Sequence, residues 1–204
     1  MPSCRVAWIS GWSVPAASLL EAAQNAWPDA GHTVLDPGPG AMAATLASDA
    51  DMLGGFSLGA HLLLTVDDPR PRILLAPFPD LKKEAALGGA VATTQIRQLL
   101  RWLKRDPGAA IADFHARIGT KPPPLDMLPP LEDLAWGLER MLAPGTVPAP
   151  LPKKHSLAIA GRRDPLLDAD ILHGVLPSLH LIDSGHQPEP LLAAAVRLRH
   201  TESA

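Results

Sequence analysis

Gly55-Phe56-Ser57-Leu58-Gly59 is the segment of this sequence whose residue types and spacing most directly imply chemistry. A G-x-S-x-G pentapeptide between an apolar strand and a helix makes a sharp turn that presents a serine hydroxyl, and its glycines leave room where a Cβ would strike neighbouring elements. That hydroxyl is a weak nucleophile unless a base takes its proton. A base and an acid follow downstream. His186 closes Asp183-Ser184-Gly185-His186 after the last strand candidate, and Asp164 lies in Gly161-Arg162-Arg163-Asp164-Pro165 after the strand candidate before it. Serine, acid and histidine in that order suit a Ser-His-Asp triad. Asp168, Asp170 and Asp183 are competing carboxylates, and Asp183 is near enough to His186 to brace its loop; loop position and order favour Asp164. The other histidines, His32, His61, His115, His155, His173, His180 and His200, have no comparable setting, and His61, one turn into the helix opened by the elbow, is expected to point away from Ser57.

Acyl transfer also needs donors for the developing oxyanion, usually two backbone N–H groups. Leu58, directly after the nucleophile, offers one. The loop Ile9-Ser10-Gly11-Trp12-Ser13 after the first strand candidate offers the second through the Trp12 amide. The side chains of Trp12 and Phe78 are expected to supply an apolar lining, better suited to an acyl chain than to a sugar.

These residues meet only if the strands that carry them are parallel neighbours. Short apolar runs at Val6–Ser10, His32–Leu35, Asp51–Phe56, Ile73–Ala76, Ser156–Ala160 and Leu179–Ile182 read as strands, and Ala16–Ala26, Leu58–Thr65 and Glu189–Arg199 as helices. This alternation predicts an α/β fold with a mostly parallel sheet of about six strands covered on both faces, with the serine, acid and histidine loops on one edge. Residues 81–142 instead carry helical spacing at Ile96, Leu99, Leu100 and Leu103, at Ile111, Phe114 and Ile118, and at Leu131, Leu134, Leu138 and Met141. They read as a helical cap inserted into a core made of residues 1–80 and 143–204. Proline tracts at Lys121–Pro130 and Ala143–Pro152 read as extended connectors.

The bulk properties fit one globular domain: 204 residues, 47% hydrophobic and 19% charged. A net charge of -3 gives no overall basic field, which argues against a nucleic-acid partner. The single Cys4 forms no internal disulfide and no cysteine cluster suggests zinc, so the reading is a cytoplasmic protein without metal or cofactor. No signal segment and no apolar run long enough to span a membrane is visible, and a monomer is expected.

Gly11-Trp12 after the first strand, the Gly55–Gly59 elbow, GRRDPLL around Asp164 and SGHQP around His186 together resemble the α/β-hydrolase superfamily over nearly the whole chain. Within it, the Gly-Trp loop, the FSLGA elbow and the cap stretch running from Phe78 to Gly119 are similar to the pimeloyl-acyl-carrier-protein methyl ester esterases of biotin synthesis. The resemblance implies a compact α/β-hydrolase fold and hydrolysis of a methyl ester on a pimeloyl chain held by an acyl carrier protein. It also implies that cap arginines meet the acidic carrier. Arg97, Arg101 and Arg105 recur at i, i+4 and i+8 and so share one helical face, although charged stripes are also ordinary helix exteriors. A general small-acyl esterase or thioesterase, and a catalytically silent acyl-carrier-binding module, are the alternatives.

Overall fold

The computed structural model describes residues 4–145, 148 and 156–202. In chain order the elements are β1 (Arg5–Ile9), α1 (Ala16–Ala26), β2 (Gly31–Leu35), α2 (Ala41–Ala47), β3 (Met52–Phe56), α3 (Leu58–Leu63) and β4 (Arg72–Leu75). There follow β5 (Asp80–Lys82), β6 (Gly88–Val91), α4 (Thr93–Arg105), α5 (Pro107–Arg117) and α6 (Leu131–Leu142). The chain then returns through β7 (Leu157–Gly161), α7 (Ala169–Val175), β8 (Leu179–Ile182) and α8 (Pro188–Glu202).

Six strands form one sheet in the order β2-β1-β3-β4-β7-β8, and every ladder in it is parallel. The strand runs are nearly all apolar because parallel strands flanked by helices bury both faces; β3, β4 and β7 are buried at every residue. All strands point the same way, so the turns leaving β1, β3, β7 and β8 emerge on one edge. Those turns carry Trp12, Ser57, Asp164 and His186.

Expected and observed strands agree to within a residue at each end, which is the ordinary uncertainty of a boundary. The helix expected over Leu58–Thr65 stops at Leu63. The buried guanidinium of Arg72 donates to the Leu63 and Val66 carbonyls at 3.0 and 2.7 Å, satisfying acceptors that the end of a helix leaves open. Two helices escape the sequence pattern, α2 and α7, each only 7 residues long and so too short to establish a period.

Between β4 and β7 the observed chain is more than helices. β5 and β6 pair in a small parallel sheet of their own, and β6 is tied to the Asp164 loop by the Ala90 N–H to Leu166 carbonyl bond of 2.9 Å and the Asp168 N–H to Gly88 carbonyl bond of 2.9 Å. Asp106 ends α4 and caps α5, its carboxylate accepting the Ala109 N–H at 3.1 Å with Pro107 next in the chain. α4 packs on both α5 and α6. The Lys121–Pro130 tract is extended apart from one short turn at Leu125–Met127. Of the second proline tract, residues 146–147 and 149–152 lie outside the described residues, as does His155.

Candidate active site

The turn from β3 into α3 places Ser57 at φ 54, ψ -113, a conformation that side chains rarely adopt. The flanking glycines make that turn possible. A Cβ on Gly55 would stand 2.6 Å from the Ala60 nitrogen, and one on Gly59 would stand 2.0 Å from the Ile9 carbonyl oxygen. Neither backbone could yield, so α3 approaches β1 and β3 this closely only with glycine at both positions.

Ser57 Oγ lies 3.0 Å from His186 Nε2, and His186 Nδ1 lies 2.6 Å from Asp164 Oδ2. A carboxylate accepts, so the proton between the last two belongs to Nδ1. That tautomer leaves Nε2 free to receive the serine proton. The other oxygen of Asp164 accepts the Leu166 N–H at 2.9 Å, which fixes the plane of the carboxylate. The imidazole and carboxylate side chains retain only 2% and 0% of their exposure, so water competes little for these hydrogen bonds. The competing carboxylates are elsewhere: Asp168 caps α7 through the Ile171 N–H at 3.1 Å, Asp170 lies in the first turn of that helix, and Asp183 makes an exposed ion pair with Arg163 at 2.8 Å.

On the oxyanion side, Gly11 sits against the nucleophile; a Cβ there would lie 3.3 Å from that of Ser57. Trp12 follows it immediately. The Leu58 N–H opens α3, where helical amides have no intrahelical acceptor, and among the described residues the Trp12 N–H meets no backbone acceptor. Leu58 is thus adjacent to Ser57 in the chain, and Trp12 follows the glycine that touches it. The indole of Trp12 is buried between two helices, its Nε1–H donating to the Leu134 carbonyl of α6 at 2.8 Å and its ring meeting Phe114 of α5 edge-on at 4.8 Å.

The remaining expected site residues are placed less centrally. Phe78, expected as apolar lining, is 1% exposed and lies flat against His61, 4.9 Å between ring centroids, so it packs against the elbow helix. His61 does turn away from Ser57: its Nδ1–H donates to the Phe78 carbonyl at 2.8 Å, and burial pushes its pKa below the usual histidine value. Arg97, Arg101 and Arg105 are all exposed on the outer face of α4. Two residues that sequence reasoning passed over also border the site, His115 through Ser13 and Gln187 through Ile118. Their partners lie 102 and 69 positions away, so no local pattern could have signalled them.

A cavity of about 160 Å³ opens beside the site among α4, α5, α6 and the Asp164 loop, with Ile96, Leu99, Trp102, Phe114, Met141 and Leu166 in its wall. It shares walls with the site through Phe114, which touches Trp12, and Leu166, whose amide holds Asp164. None of Ser57, Asp164 and His186 lies in its lining.

The chain can be laid over solved structures across almost its full length. An esterase from Exiguobacterium antarcticum matches with a TM-score of 0.70 at 12% identity, covering 98% of this chain and 91% of that one. A bottromycin epimerase in complex with bottromycin A2 matches at 0.65 and 14%, covering 99% and 90%. The fold is that of the α/β-hydrolases. An epoxide hydrolase from Bacillus megaterium shares this α/β-hydrolase fold at a TM-score of 0.60 and 11% identity, covering 98% of this chain and 92% of that one. No protein-family model and no curated protein matches the sequence. The names of these three structures span ester cleavage, epimerisation and epoxide opening, so the fold leaves the reaction to be argued from the site. Among the described residues no group of His, Cys, Asp and Glu could hold a metal ion, and no helix is long and apolar enough to cross a membrane.

Proposed function

We propose that this chain is a serine carboxylesterase in which Ser57 attacks the ester carbonyl, His186 relays the proton and Asp164 holds the imidazole. The observation that carries the reading is the unbroken buried relay from Ser57 Oγ through His186 to Asp164, 3.0 Å and then 2.6 Å. As Oγ bonds to the acyl carbon its proton passes to Nε2, and the carbonyl oxygen becomes an oxyanion facing the Trp12 and Leu58 amides. Collapse expels the alcohol, which leaves with the proton from Nε2. Water then gives a proton to Nε2 and attacks the acyl-serine, releasing the acid and restoring the hydroxyl.

For the substrate, the sequence resemblance favours the methyl ester of a pimeloyl chain on an acyl carrier protein, giving free pimeloyl carrier and methanol in biotin synthesis. The apolar cavity beside the site suits an acyl chain. The exposed row of Arg97, Arg101 and Arg105 supplies a positive face for an acidic carrier. Purified protein is incubated with that carrier-bound ester and the free acid measured, beside Ser57→Ala. Hydrolysis lost in the variant, and slowed by raised salt or by charge reversal at Arg97 and Arg101, supports the reading. A variant as active as wild type sinks the mechanism.

A second reading, a general esterase or thioesterase for small acyl groups, is favoured by the modest size of the cavity, about 160 Å³. A series of p-nitrophenyl esters separates the two, since a carrier enzyme prefers its carrier-bound substrate while a general esterase peaks on a short free chain. Labelling of Ser57 by a fluorophosphonate separates both from a silent carrier-binding module.

A further inference from the structure

Among the described residues His115 is the one buried histidine besides His186 that reaches a loop of the site, and the triad mechanism does not use it. It sits in the last turn of α5 with 4% exposure, and its Nε2 lies 3.0 Å from Ser13 Oγ and 3.2 Å from the Ser13 carbonyl oxygen. A carbonyl only accepts, which places the proton on Nε2 and leaves Nδ1 to accept from the Thr120 hydroxyl at 2.7 Å. The sequence provides for this. Gly119 takes φ 71 directly after α5 and turns the chain back, so that the Thr120 N–H reaches the His115 carbonyl at 2.9 Å with its hydroxyl beside the ring.

Ser13 is no ordinary partner. It is fully buried and held at φ 54, left-handed backbone that a side chain resists, and it follows Trp12, the proposed oxyanion donor. Such a conformation persists only where its surroundings hold it, and His115 grips both its carbonyl and its hydroxyl. We propose that His115 is a positioning residue: from α5 it pins Ser13 in the left-handed turn and thereby aims the Trp12 amide at the oxyanion. The same end of α5 also meets the opposite side of the site, where Gln187, next after His186, donates to the Ile118 carbonyl at 3.3 Å. One helix end therefore holds the oxyanion loop and the histidine loop in register. Burial is the main influence on the pKa of His115 and lowers it, as does the nearby His186, against the Ser13 hydrogen bond, which raises it.

The proposal rests on the serine-esterase reading of Ser57, and the experiment separates the two. Steady-state turnover of a p-nitrophenyl ester and inhibition by an alkyl trifluoromethyl ketone, whose adduct carries the oxyanion, are measured for wild type, His115→Phe, His115→Gln and Thr120→Val. His115→Phe is expected to lower kcat about 10- to 100-fold and to raise Ki of the ketone by a similar factor, while KM changes by less than about twofold. His115→Gln, whose amide nitrogen falls near the position of Nε2, restores most of the rate. Thr120→Val leaves the histidine in place and loosens it, with a smaller loss in the same two quantities. Unchanged kcat and Ki in His115→Phe and Thr120→Val overturn the proposal. So does an equal loss in the Phe and Gln variants that only follows a fall in Tm, which marks a packing role. A wild-type protein that neither labels with fluorophosphonate nor cleaves any ester overturns the esterase reading along with this one, whereas an active wild type with unaffected variants overturns this one alone.

Discussion

Ser57 Oγ stands 3.0 Å from His186 Nε2, although 129 positions separate the two residues in the chain. Replacing Ser57 by Ala removes the proposed nucleophile, and hydrolysis is expected to fall by about 10³- to 10⁶-fold with loss of fluorophosphonate labelling. The same residue stores strain. Its φ of 54 costs a non-glycine residue about 1–3 kcal/mol, whereas glycine adopts it freely and gives back about 0.5–1 kcal/mol through its looser unfolded chain. Ser57→Gly is therefore expected to melt about 2–4 °C above Ser57→Ala, with both inactive. Equal melting temperatures would show that the elbow is not strained.

Asp164 and Asp183 both lie within reach of the His186 loop in sequence, and the structure assigns them opposite surroundings. Asp164 is buried on the imidazole; Asp183 retains 81% exposure in its ion pair with Arg163. In Asp164→Asn the amide no longer fixes the Nδ1–H tautomer, and kcat is expected to drop by about 10⁴-fold. Asp183→Asn removes only an exposed pair, worth less than about 1 kcal/mol, and kcat should stay within about threefold of wild type. A reversal of these two effects in a kcat comparison would move the acid from one loop to the other.

The contrast also shows what the sequence made legible. Ser57, Asp164 and His186 each stand just beyond an apolar run, and a parallel sheet needs nothing more to gather them, so strand order along the chain was enough. Gly54 illustrates the limit. In the sequence it is one more glycine in the elbow, whereas in the fold a Cβ there would lie 2.1 Å from the Trp8 indole, so it makes room for an aromatic on the neighbouring strand. Phe78 shows a related limit: its apolar character fits a site wall as well as a packing surface, and the sequence could not show the flat contact it makes with His61. β5 and β6 were missed because runs of 3 and 4 residues, the second with two glycines, show no alternation. His115 belongs to the same class, since its role exists only across the contact with Ser13.

The buried histidines predict how stability depends on pH. Burial, as the main cause, lowers the folded-state pKa of both His61 and His115 below the ordinary value of 6.5. Below pH 6.5 the unfolded chain therefore binds protons that the folded chain refuses, and stability falls as pH falls; above it both states are neutral and nothing is lost. Asp68 shifts in the same direction, held low by its hydrogen bond from Arg70, so it too loses its contribution on acidification, but only as pH falls below 3.8. Urea midpoints are expected to be flat above about pH 7 and to decline from about pH 6.5 toward 4.5, with a shallower decline in His61→Gln. A midpoint that rises on acidification through this window would contradict the burial of neutral imidazoles.

Gly137 tests whether α6 sets the oxyanion side of the site. It lies in that helix where a Cβ would come within 2.8 Å of Trp12 Cδ1 and 2.9 Å of Leu58 Cδ2, so Gly137→Ala presses on the side chains of the two residues proposed as oxyanion donors. Alanine gains about 1 kcal/mol over glycine inside a helix, while forcing a methyl into a filled space costs about 1–3 kcal/mol. The two nearly offset, and Tm should shift by less than about 5 °C. Activity has no such compensation: displacing an oxyanion donor by a fraction of an ångström is expected to lower kcat by about 10-fold or more. Gly174→Ala in α7 is the control, since nothing lies within 4 Å of its Cβ position and the helical gain comes alone, raising Tm slightly at unchanged kcat. Full activity in Gly137→Ala, measured beside that control, would mean that the packing of α6 on the Trp12 and Leu58 side chains does not set the oxyanion side of the site.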